Sequence, residues 1–120
     1  MAFLIAAPPA HALVTVDDRT RLRLGASRHK LTVKRGRKTI RLRLEAINRG
    51  EDPHDVAIRR VGGHRLKTTG VLAPGGTDGG AFTIRLKPGR YVLYCTIGAG
   101  TPLSHERRGM RDTLRVVRRR

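Results

Sequence analysis

Tryptophan is absent from this 120-residue chain, aromatic residues make up only 3% of it, and there is a single cysteine, Cys95. So few aromatics leave a stacking platform for single-stranded nucleic acid poorly supplied, which makes nucleic acid an unlikely partner. One cysteine excludes an intramolecular disulfide and leaves three readings open: a buried filler, a reactive thiol or a metal ligand. Acids are scarce too, with 9 Asp and Glu against 26 Lys and Arg and a formal charge of +17. A field of that sign attracts anionic surfaces and speaks about partners rather than fold. No apolar run approaches the length needed to span a membrane. No spacing supports a Ser-His-Asp or paired-carboxylate arrangement, so the chain is not read as an enzyme.

What is present fits one domain with a modest core. The opening Met1-Ala2-Phe3-Leu4-Ile5-Ala6-Ala7 is apolar, and Ala10-His11-Ala12 has the small-x-small form of a signal-peptidase site. Residues 1–12 are therefore expected to be the remnant of an export signal with a truncated start, or a disordered tail. The folded domain is expected over 13–120, outside the cytoplasm in a periplasm or cell envelope.

From there the pattern is that of short strands. Leu13 to Val16, Leu22 to Leu24 and Leu31 to Val33 are β-prone runs separated by polar and turn residues. Between Thr39 and Ile47 the alternation is clean, with Ile40, Leu42, Leu44 and Ala46 on one face and Arg41, Arg43 and Glu45 on the other. Val56 to Arg60, Ala81 to Leu86, Arg90 to Cys95 and Thr113 to Val117 continue the series, and Thr68 to Gly80 reads as the longest loop. Seven or eight strands without a useful helix predict an all-β Greek-key sandwich or barrel.

The rare residues cluster. Cys95, His105 and Met110, the last being the one methionine beyond the initiator, fall between the end of one strand and the start of the final one. His54 lies in a distant loop, and in a sandwich those loops can meet at one end. Two imidazoles, a thiolate and a weak thioether make a trigonal set with a long axial bond that suits one mononuclear copper ion. Zinc would more often take another Cys or His in place of the Met. Taken singly, each residue has a plainer reading: Cys95 and Met110 as core, the histidines as surface imidazoles. His11, His29 and His64 lack such partners and keep that reading.

Four stretches resemble the plastocyanin and azurin family of type 1 blue copper proteins. They are Leu31-Thr32-Val33-Lys34-Arg35-Gly36, the run from Asn48 through Asp52-Pro53-His54-Asp55-Val56 to Ile58, the run Leu86-Lys87-Pro88-Gly89-Arg90-Tyr91-Val92-Leu93-Tyr94-Cys95, and the run from Ser104 through His105 and Met110 to Leu114. The resemblance implies a cupredoxin-like barrel. It makes His54 the first ligand, Cys95 the thiolate, His105 the second imidazole and Met110 the axial thioether. It also implies outer-sphere transfer of single electrons through the edge of His105. Ile97 to Ser104 makes the Cys-to-His loop longer than in plastocyanin, either as a docking patch or as a flap. Asp55 is either a brace accepting backbone N–H groups near Thr96 or an ordinary turn carboxylate.

The expected function is thus a monomeric electron carrier cycling Cu(II) and Cu(I), with a redox partner of acidic surface and an affinity for anionic membrane or envelope surfaces. The alternatives are a copper-handling or sensing protein, and a basic polyanion binder without a working copper site.

Overall fold

The computed structural model describes residues 8–76 and 79–119. The apolar run Met1 to Ala7, on which the expected export-signal remnant mostly falls, lies outside the described residues. Nine strands and no helix are found among the described residues: β1 Ala10–Asp17, β2 Arg23–Ala26, β3 Lys30–Val33, β4 Ile40–Asn48, β5 Ala57–Arg60, β6 Arg65–Thr68, β7 Gly79–Leu86, β8 Gly89–Tyr94 and β9 Arg111–Arg118. One sheet has the order β2-β1-β4-β7 and the other β3-β9-β8-β5-β6. The pairs β1/β4 and β3/β9 are parallel, and the remaining neighbours are antiparallel.

Alternation along the strands creates the core. In β1 the buried positions are Ala12, Val14 and Val16, and in β4 they are Leu42, Leu44 and Ala46. Facing them from the second sheet are Leu31, Val33, Ile58, Tyr91, Leu93, Leu114 and Val116, and Cys95 and Met110 belong to the same cluster. Strand β8 is buried on both faces, because Val92 and Tyr94 form a small second cluster with Ala57.

The expected all-β sandwich is the one observed, with one strand more than the sequence pattern suggested. Strand β6 is exposed along most of its length and carries no apolar alternation, so hydrophobic periodicity has nothing to register there. Its Arg65 and Lys67 charge the edge of the sheet, which discourages further strand pairing. Strand β1 begins at Ala10, and Ala10, His11 and Ala12 pair with Leu42, Arg43 and Leu44 of β4. The register also fixes the two ends of the sandwich. Asp17, Asn48, Tyr94 and Arg111 lie at one end of their strands, and Ala10, Ile40, Leu86, Gly89 and Arg118 at the other.

Candidate metal centre

Asn48, the last residue of β4, points inward and is fully buried. Its Nδ2 donates to the carbonyls of Asp52 (2.8 Å) and Leu72 (3.0 Å), and its Oδ1 accepts from the N–H of Gly50 (2.9 Å). A buried amide satisfied on three sides holds a fixed shape in the loop it serves. That loop delivers His54, whose backbone forms a two-bond bridge with Leu72, and whose ring has no exposed surface.

Cys95 follows directly on β8, and its N–H donates to the carbonyl of Met110 (3.1 Å). The Met110 N–H donates in turn to the carbonyl of His105 (2.9 Å), so the backbone links these three residues in series. Met110 is fully buried beside Cys95 in the core cluster. Residues 96–104 fold into successive tight turns, closed by Ala99 N–H to Thr96, Thr101 N–H to Gly98 and Ser104 N–H to Thr101. Gly98 has φ +74°, and a Cβ there would stand 2.5 Å from the Leu103 carbonyl oxygen, a close approach that only glycine permits. The long loop is thus closed on itself by backbone bonds, with Leu103 exposed on it.

These supports bring three donors together. His54 Nδ1 lies 3.2 Å from His105 Nδ1, and Cys95 Sγ lies 3.7 Å from the same His105 Nδ1. All three donor atoms fall within 4.8 Å of one another. Donors about 2 Å from a shared ion in a trigonal plane stand about 3.5 Å apart, so a single metal fits the spacing. A thiolate with two imidazoles suits a borderline-soft transition metal. Exposure is asymmetric: His54 is sealed, while His105 is partly exposed.

The protonation states follow from the surroundings. Burial pushes the Cys95 thiol up to about 11, against lowering by backbone hydrogen bonds at the site. Burial likewise holds His105 below the usual imidazole range, helped by the neighbouring His54 and Arg108. At neutral pH the metal-free site therefore presents a neutral His105 and a protonated thiol.

Two carboxylates brace the cluster. Asp55 accepts from the backbone N–H of Thr96 (2.6 Å) and from the Thr96 hydroxyl, which makes it the brace between the His54 loop and the end of β8. Asp18, in the connection between β1 and β2, accepts from His54 Nε2 at 2.6 Å and from the N–H groups of Glu51 (2.7 Å) and Asp52 (3.0 Å). No spacing in the sequence points to it, because the contact joins residues 36 positions apart. Further out, Arg59 makes a bidentate pair with Glu106 (2.9 and 2.6 Å) and lies over the Tyr94 ring. That pair ties the residue after His105 to β5. His29 instead bonds Asp112 at 2.8 Å, and neither it nor His11 or His64 joins the donor cluster.

No family model and no curated protein matches this sequence. Solved structures do. Auracyanin B superimposes with a TM-score of 0.60 at 20% identity, over 93% of this chain and 92% of that one. A dithionite-reduced auracyanin from the photosynthetic bacterium Roseiflexus castenholzii gives a TM-score of 0.56 at 18% identity, over 92% and 98%. At such identities the likeness establishes the fold, a cupredoxin-like β-sandwich, and the chemistry rests on the residues themselves.

Proposed function

We propose that this protein is a type 1 copper protein that carries single electrons, holding one mononuclear ion through His54, Cys95 and His105 with Met110 as the axial thioether. The observation that carries this reading is the meeting of Cys95 Sγ and His105 Nδ1 with His54 Nδ1, from a loop far away in sequence, within 4.8 Å. Copper bound there supplies a one-electron couple, since thiolate and thioether favour the reduced ion and imidazole serves both states.

The chain's contribution is a fixed frame. Asn48, Asp55 and the backbone series through Met110 hold the donors in place, and little motion is then required between oxidation states. Exchange runs through His105, the one ligand ring with exposed surface. One of the structural neighbours named above is described in a dithionite-reduced form, in keeping with a redox role.

Several acids near the site are engaged internally, while Glu51 and Asp52 in the His54 loop are exposed. Asp17 pairs with Arg19, Asp18 with His54, Asp55 with Thr96, Glu106 with Arg59 and Asp112 with His29. Arg21, Arg23 and Arg108 line a cleft next to Gly109 in the ligand loop, so the redox partner fitted by this end is one with an acidic surface. The opposite end, rich in exposed Lys and Arg, suits an anionic membrane or envelope surface.

Voltammetry of the copper-loaded protein tests the carrier role. A reversible one-electron wave, with reduction and reoxidation at matching amplitude, is expected. Irreversible loss of copper on reduction would point to copper handling instead.

A further inference from the structure

Among the described residues, Asp18 is the one carboxylate hydrogen-bonded to a donor ring. Its Oδ2 lies 2.6 Å from His54 Nε2, and the pair is sealed, with side-chain exposures of 7% and 0%. The carboxylate is also held by the N–H groups of Glu51, on Oδ1, and Asp52, on Oδ2, which belong to the same loop as His54. A second observation shows that the space is reserved for it. A Cβ at Gly50 would stand 2.7–2.8 Å from the Asp18 carboxylate atoms, so any larger residue there collides with a group pinned by three hydrogen bonds.

We propose, building on the copper reading above, that Asp18 is a positioning residue for His54 which also sets the balance between the two copper oxidation states. Two consequences follow from its place. As an ionised acceptor it requires a hydrogen on Nε2, and in the neutral ring this leaves Nδ1 bare and aimed at His105 and Cys95. Its negative charge, one imidazole ring away from the donor atom, favours the more highly charged Cu(II) over Cu(I). The bare His54 Nδ1 stands 3.2 Å from His105 Nδ1, close enough for both to reach one ion.

The two consequences separate under substitution. Asp18→Asn retains an acceptor for Nε2–H but removes the charge, whereas Asp18→Ala removes both. Gly50→Ala keeps the carboxylate in the chain and pushes it off His54, which serves if the Asp18 variants fold poorly. Nitrogen-15 NMR of the metal-free full chain should place the His54 ring hydrogen on Nε2 in the wild type and show a mixture of tautomers in Asp18→Ala or Gly50→Ala. Copper-loaded Asp18→Asn should lose about tenfold in Cu(II) affinity relative to Cu(I), a rise in potential of about 59 mV. A His54 hydrogen on Nδ1 in the wild type would overturn the proposal. So would equal weakening of both copper states in Asp18→Asn with no change in potential. The tautomer measurement needs no copper, so a wild-type protein that failed to bind the metal would refute the copper reading while Asp18's hold on His54 was still decided.

Discussion

The thiol at the end of β8 keeps its proton to unusually high pH because Cys95 is almost wholly removed from water. An unfolded chain releases that proton near 9 and the folded one near 11, so the native state binds more protons between those values. The associated stability is fully present below pH 9 and is lost as the pH rises through 11, by up to about 3 kcal/mol. Urea unfolding of the metal-free protein should therefore show its midpoint falling over this range, and Cys95→Ser should flatten that part of the fall. Copper must displace the same proton, so uptake at neutral pH should release it and weaken as the medium becomes more acidic, measurable in weakly buffered solution. If uptake is independent of pH, Cys95 is not the ligand. At this scale the sequence pointed to Cys95, His105 and Met110 through their rarity and spacing, to His54 through the family resemblance, and to Asp55, as one of two readings, through its place next to His54. Asp18 was invisible because its partner is brought to it only by the tertiary fold.

Among the elements, the loop from β4 to His54 depends on one side chain. Replacing Asn48 with Ala strands the Gly50 N–H and the carbonyls of Asp52 and Leu72 in a buried place, a loss of about 2–3 kcal/mol. Asn48→Ala should lower the unfolding free energy by that amount and also weaken copper binding, since the loop carries His54. An unchanged copper affinity in a destabilised protein would mean that the loop holds its shape without the amide. The strands themselves were legible wherever one face is apolar, as in β4 with Leu42, Leu44 and Ala46 against Arg41, Arg43 and Glu45. Strand β6 was not, because an exposed edge has no need of alternating apolar residues. The turns within 96–104 were likewise hidden, as their closing bonds are between backbone groups that composition does not record.

For the whole molecule the decisive quantity is where the charge lies. Lys34, Arg35, Arg37, Lys38, Lys87 and Arg119 are exposed at the end opposite the donor cluster, with no acid among the loops that carry them. The sequence displayed the excess of cations but not its distribution, which depends on strand direction. Charge reversal of Lys34, Arg37 and Lys38 should reduce binding to vesicles containing anionic lipid and flatten its salt dependence, leaving the reduction potential unchanged. Reversal of Arg21, Arg23 and Arg108 should instead slow electron exchange with an acidic partner. Equal effects of both sets on both measurements would show that only net charge matters.

The expectations for copper affinity, potential and electron exchange presuppose that the three converging donors hold copper. The most direct test is titration of the metal-free protein with Cu(II) while following visible absorption. An intense thiolate-to-copper band that saturates at one equivalent and is absent in Cys95→Ala is the predicted result. A colourless titration, or a band that survives in Cys95→Ala, would contradict it.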